Sequence, residues 1–225
     1  MQNYEKNAYF CTLLKLQIES YYCLIKIIIM KKGLIVILAV VAMFVIWGVG
    51  IYNGLVSKQE NVETAVGNVQ TAYQKRADLI PNLVATVKSY AEYEASTLEA
   101  VINARSRATA TTLDASNLTE ENLRAFQAAQ DELSGTLSRL LVTVEQYPDL
   151  KANQNYLDLQ SQLESCENAI ANARREFNET ARVYNTYVRR FPNNIFANMF
   201  GFEKMPYFEA SEAAQQAPDV RDLFK

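Results

Sequence analysis

The sequence predicts an all-α protein: a single N-terminal transmembrane helix followed by an antiparallel bundle of long helices, closed by a short C-terminal helix. Three observations carry that prediction. Apolar residues recur at alternating spacings of three and four over long stretches, as they do in helices that bury one seam. Glycine and proline number only seven and five among 225 residues, which disfavours strand-and-turn architectures. The window from Gly33 to Ser57 contains no charged residue, and its length suits a bilayer crossing.

The first 29 residues, "MQNYEKNAYFCTLLKLQIESYYCLIKIII", are aromatic, cysteine-bearing and interrupted by charge. Met30-Lys31-Lys32 then has the form of the start of an N-terminal anchor. Residues 1–29 are therefore read as an over-extended frame and Met30 as the initiator. Residues 33–55 form the transmembrane helix, since about twenty residues at about 1.5 Å each span about 30 Å. The apolar run outlasts a signal-peptide core and lacks a clear cleavage site, so it is read as a retained anchor. Lys26, Lys31 and Lys32 precede it, whereas Lys58 follows together with Glu60 and Glu63. The positive-inside rule places the N-terminus in the cytoplasm and the C-terminal part outside. Trp47 and Tyr52 suit the interface, and Gly50 with Gly54 makes a GxxxG match that would permit self-association.

Residues 57–209 are expected to form the bundle. Its first seam runs Val62, Val66, Val69, Tyr73, Arg76, Ile80, Leu83, Val87 and Tyr90, and continues through Leu98, Val101, Ile102 and Arg105. One helix to about residue 111 is predicted. Pro81 sits inside it, within "QKRADLIPNLVATVK". Either Asp78 caps a restarted helix or the helix continues with a kink; the unbroken phase favours the second. Arg76 lies on the buried stripe, so it requires a carboxylate or carbonyl partner from a neighbouring helix.

After the polar loop "TTLDASN", Thr119 is the expected cap of a second helix, with Glu120 and Glu121 favourably placed in its first turn. Leu123, Phe126, Leu133, Leu137, Leu140, Leu141 and Val144 face inward. Pro148 ends it and starts a third helix, whose seam is Tyr156, Leu159, Leu163, Cys166, Ile170, Ala173, Phe177, Thr180, Tyr184, Tyr187 and Phe191. Three long helices with short connections must run antiparallel. Ile195, Phe196, Met199, Phe200 and Phe202 are expected to form a compact aromatic cluster on a short helix stopped at Gly201. It would pack on the bundle end, with membrane or partner contact as the rival role. Residues 210–225 read as a flexible tail.

Several functional classes are disfavoured by composition. Histidine is absent, which removes the commonest general base and metal ligand. The net charge of −3 offers no basic footprint for nucleic acid. Cys11, Cys23 and Cys166 lack metal or redox spacing, and Cys166 falls on the apolar seam as a small core residue. With no phosphate-binding loop either, no catalytic residue, cofactor or metal is expected.

The stretches "YNGLV" at 52–56, "KRADLIPNLVATVKSYAEYE" at 75–94 and "YPDLKANQNYLDLQSQLESCENAIANARREFN" at 147–178, with "YN" at 184–185 and "FGF" then "YFE" near the end, resemble the LemA family. The resemblance runs from the membrane segment to about Glu209. It implies a bacterial, single-anchor protein with an antiparallel helical-bundle domain and no assigned reaction; with the charge-based orientation above, the bundle is expected on the outer side of the cytoplasmic (inner) membrane. It marks Arg76, Asp78, Pro81, Asn82, Tyr147, Pro148, Asp149, Asn153, Arg174, Asn178 and Asn185 as motif positions, either interhelix polar contacts or interaction residues. Asn178 and Asn185 are one heptad apart and can share an edge of the third helix; hydrogen bonding between helices is the expected role, with a partner-binding edge as the alternative. The expected function is a membrane-tethered, non-enzymatic interaction or scaffold module with an unidentified protein partner. The alternative is a ligand-sensing bundle that signals through a separate membrane protein.

Overall fold

The computed structural model describes the backbone of residues 2–90 and 95–209 and the side chains of residues 32, 34–90 and 95–209. Among the described residues there are helices and no strands: α1 Gln2–Lys88, α2 Ala95–Ala110, α3 Glu120–Val144, α4 Pro148–Lys151, α5 Gln154–Arg189 and α6 Asn193–Phe200. The chain divides into two compact units, residues 1–53 and 54–225. In the first, large apolar side chains from Leu34 to Val49 stand exposed along α1. That part of the helix reaches a mean hydropathy of 3.0 and is long and apolar enough to cross a membrane. A continuous exposed apolar surface of this kind needs an apolar surrounding.

The second unit holds four long helical stretches rather than the three expected. The first helix does not run to residue 111; it ends at Lys88, and α2 begins at Ala95. No bulky aliphatic residue lies between Tyr90 and Leu98, so a continued helix would have had no seam to bury there. By folding back, α2 brings Leu98, Val101, Ala104 and Ala108 into one core with Ile80, Leu83, Val87 and Leu133. Two bonds fix the antiparallel pairing. Gln70 Nε2 donates to the Leu113 carbonyl at 2.6 Å, and Arg105 Nε donates to the Ala77 carbonyl at 2.8 Å.

The second of these bonds accounts for Pro81. The helix passes through Pro81 unbroken, and Asp78 does not cap a restart, because its carboxylate accepts from Gln74 Nε2 one turn earlier at 2.6 Å. Proline has no N–H, so the carbonyl four residues before it, that of Ala77, loses its helical donor. Arg105 supplies the replacement from α2.

Thr119 caps α3, its hydroxyl accepting from Asn122 N at 3.1 Å, with Glu120 and Glu121 in the first turn. The inner face of α3 is as expected, with Leu141 only partly buried. The "YPDLKAN" stretch forms its own turn, α4, before Asn153 caps α5 by accepting from Tyr156 N at 3.1 Å. Along α5 the buried seam departs from the predicted one: Cys166, expected in the core, is only partly buried, and the line shifts in the second half. Ala181 and Val188 are buried where Thr180 and Tyr187 were expected, and Phe191 is 77% exposed. A strict heptad repeat slips by about 20° per heptad against an α-helix, so over five heptads the buried line moves by about one residue.

α6 ends at Gly201, which adopts a left-handed φ of 76° and donates to the Ala197 carbonyl. Phe202 N reaches the same carbonyl at 2.9 Å, the arrangement that glycine permits at a helix end. The expected aromatic cluster is only partly buried. Phe196 is buried, but Ile195, Met199 and Phe200 are 56%, 64% and 50% exposed, because a two-turn helix has one face for the bundle, here Asn193, Phe196 and Ala197. Residues 202–209 then form a non-helical strap along α5. The predicted tail, 210–225, lies outside the described residues, as do the side chains of residues 1–29.

Candidate functional site

Two polar constellations contain most of the inward motif residues. The first is centred on Arg76, whose side chain is 1% exposed. Its Nη1 donates to Ser134 Oγ at 2.7 Å and Glu167 Oε1 at 2.8 Å. Its Nη2 donates to the Gln130 backbone carbonyl at 3.2 Å and the Gln130 side-chain oxygen at 2.8 Å. All four terminal N–H groups of the guanidinium thus have acceptors, while Nε has none. The Tyr73 ring lies 5.2 Å from the guanidinium carbon and packs edge-on against Phe126. Burying a cation is costly unless its hydrogen-bonding capacity is matched, and here α3 and α5 together supply acceptors to both terminal nitrogens. Gln130 Nε2 then donates to the Ala108 carbonyl at 3.0 Å, which lies in the last turn of α2 and lacks a helical partner. One arginine and one glutamine therefore tie α1, α2, α3 and α5 at a single level. Burial raises the Tyr73 phenol and the nearby Asp131 carboxyl above their ordinary ranges, with Arg174 and Arg76 opposing the shift in both.

The second constellation lies on α5. Asn178 Nδ2 donates to the Phe208 carbonyl at 2.9 Å while Asn178 Oδ1 accepts from Phe208 N at 2.8 Å. Asn185 does the same to Met205, at 2.8 and 2.9 Å, and also donates to the Tyr207 hydroxyl at 2.9 Å. Seven helical residues rise about 10.5 Å, and three extended residues span about 10 Å. One heptad of helix therefore matches three residues of strap, running in the opposite direction. Arg174 Nη2 and Gln127 Nε2 hold the Glu209 carbonyl at 2.6 and 2.9 Å. Phe208 is buried edge-on against Phe177, with the Arg174 guanidinium over its ring. The amides of Asn178 and Asn185 do not join helices to one another, as expected from the sequence; they clip the chain's own C-terminal strap.

The remaining motif residues lie apart from these two groups. Asp78, Pro81 and Asn82 are exposed on α1, and Pro148 and Asp149 are exposed at the start of α4. Tyr147 packs partly buried against the core, and Asn153 both caps α5 and donates to the Tyr90 hydroxyl at 2.8 Å. A cleft of about 530 Å³ between α1, α2 and α3 is lined by Tyr73, Gln74, Asp78, Thr109, Phe126 and Gln130, among others. A second, of about 420 Å³, includes Asn82, Thr86, Asn155 and Asp158. Among the described residues no group of three or more His, Cys, Asp or Glu could hold a metal ion.

Gln130, Ser134 and Glu167 were not singled out from the sequence, and Arg105 and Phe208 were placed on a seam and in a motif stretch without their polar and packing roles. Gln130 had a readable signal: it stands four after Phe126 and three before Leu133, a seam position occupied by an amide. Ser134 and Glu167 carry no local signal, since exposed-looking Ser and Glu are ordinary on helices, whereas the seam position of Arg105 was itself a signal.

Together these features define a class: an all-α bundle, internally tied by a buried arginine and edged by its own strap, whose first helix extends into a segment of membrane-crossing length. The chain belongs to the LemA family, whose sequence model matches residues 65–221. It is 26% identical to Protein LemA of Metamycoplasma hominis over 78% of this chain and 76% of that one. It is also 26% identical to Magnetosome protein MamQ of Magnetospirillum gryphiswaldense, over 77% of this chain and 70% of that one, and 25% identical to Magnetosome protein MamQ 2 of Paramagnetospirillum magneticum over the same shares.

Proposed function

We propose that the protein is a membrane-anchored, non-enzymatic scaffold: a rigid helical bundle held at the outer face of a bacterial inner membrane to engage a membrane-protein partner. The observation that carries this reading is the division of the motif residues. Arg76, Asn178 and Asn185 are engaged in holding the bundle and its strap together, whereas Asp78, Asn82 and Asp149 face solvent. Exposed polar groups at motif positions that contribute little to packing are candidates for contact. The apolar segment of α1 supplies the tether, and the excess of lysine before it supports an N-terminus inside the cell.

The test is crosslinking of the anchored protein in cells, followed by purification and mass spectrometry. One reproducible membrane-protein partner is expected, lost in Asp78→Lys or Asp149→Lys variants that keep their helical circular dichroism. Recovery of the protein alone would overturn the scaffold reading. A second reading, a ligand-sensing bundle, is favoured by the cleft beside Gln130, whose volume falls in the range of small-molecule sites. Native mass spectrometry of the purified protein would reveal it as a reproducible small adduct.

A further inference from the structure

We propose that α6 is an interfacial foot: its outward apolar face, together with Phe191, inserts into the headgroup boundary of the membrane in which the protein is anchored. This rests on the membrane-anchored reading above.

On α6, Ile195 and Met199 stand one turn apart and are 56% and 64% exposed, with Phe200 at 50%, and Phe191, just before the helix, is 77% exposed. Four large apolar side chains within ten residues of the chain thus stand exposed, and concentrations of this kind mark contact with something apolar. The position of the patch within the bundle selects the occupant. Asn193 Nδ2, in the first turn of α6, donates to the Tyr187 carbonyl at 3.2 Å. The Tyr187 ring in turn lies against Gly54, where an added Cβ would collide with its hydroxyl, and Lys58 Nζ stands 5.4 Å from the ring centroid. Gly54 opens the bundle unit, directly after the apolar segment. α6 is therefore fixed to the end of the bundle at which the chain arrives from that segment. The same contact accounts for the small size of Gly54 without helix dimerisation.

The surrounding charge fits a lipid surface. Arg189 and Arg190 immediately precede Phe191, and Lys204 follows α6; all three are exposed, and Glu203 is the acidic residue among them. Apolar side chains accompanied by Arg and Lys on a short helix are the composition of an interfacial helix on anionic lipid. A protein groove would not require the patch to be at the chain-entry end.

The experiment uses the full chain with Cys11, Cys23 and Cys166 changed to serine, reconstituted in vesicles of phosphatidylethanolamine and phosphatidylglycerol. Nitroxide labels are placed singly through Met199→Cys, Ile195→Cys, Glu164→Cys and Val41→Cys. Collision with oxygen, which concentrates in lipid, is compared with collision with a water-soluble nickel chelate. The expected result is an oxygen-to-nickel ratio several-fold higher at 199 and 195 than at 164, and highest at 41. A bilayer value at 41 with water-like values at 195 and 199 would overturn the foot alone and leave the anchor standing. Exclusion of both probes at 195 and 199 would mean that protein covers the face, which also overturns it. A water-like value at 41 would remove the anchor and the foot together.

Discussion

The Arg76 layer and the α5 strap are both built from polar side chains at motif positions, yet they solve different problems. Arg76 is a cation buried where four helical stretches meet, and its partners are a carboxylate, a hydroxyl and an amide separated by as many as 91 residues in sequence. Asn178 and Asn185 are neutral amides at the edge, each pairing with both backbone groups of one strap residue. A charge in the interior must be surrounded by acceptors before it can be tolerated, so it penalises any other arrangement of the helices. An amide that mimics a backbone partner selects an extended segment in one register. The centre thus sets how the helices meet, and the edge sets what lies on them.

The largest expected effect breaks the centre. Arg76→Ala should destabilise the protein by about 3 to 5 kcal/mol, the usual consequence of removing one partner from a buried charged network. Chemical denaturation of the full chain in detergent micelles, followed by circular dichroism, would measure it. A loss below about 1 kcal/mol would mean that the apolar seam alone holds the layer.

The next effect separates edge from centre. Asn178→Ala and Asn185→Ala each remove two backbone hydrogen bonds, so each should loosen the strap by about 1 to 3 kcal/mol. Hydrogen exchange should quicken at residues 203–209 while the amides of α1 and α5 near Arg76 keep their protection. Equal quickening in both places would show that centre and strap form one cooperative unit.

Smaller still is the link between Arg105 and Pro81. Arg105→Leu strands the Ala77 carbonyl and should cost about 1 to 2 kcal/mol. Pro81→Ala returns a helical donor to that carbonyl, so the double variant should recover part of the loss, and a thermodynamic cycle would expose the coupling. Strict additivity would disconnect the two residues. Asp78→Asn, outside both regions, should change stability by no more than about 0.5 kcal/mol; a larger loss in the same denaturation series would place Asp78 in the structural group.

Much of this was readable beforehand, for reasons that lie close together in the chain. The α3 seam, the Thr119 cap and the Gly201 stop each depend on residues within a turn or two, and the need of Arg76 for acceptors follows from its place on a buried stripe. The break after Lys88 was missed because it depends on α2 finding a place in the core, and periodicity alone reads the same whether a helix continues or folds back. The drift of the α5 seam was missed because a heptad count accumulates error with length. Within the site, the sequence marked Asn178 and Asn185 as an edge but misassigned their partners to other helices.

Helical character, the apolar faces of most helices and one segment with the length and composition to cross a membrane are all legible in the order of residues. Those properties follow from side-chain periodicity and hydropathy, which are local. The carbonyl that Arg105 repairs, the acceptors that surround Arg76 and the match of three strap residues to one heptad of α5 emerge from the folded chain alone. Each depends on groups brought together across tens of residues, where distance and direction, rather than any pattern along the chain, select the partner.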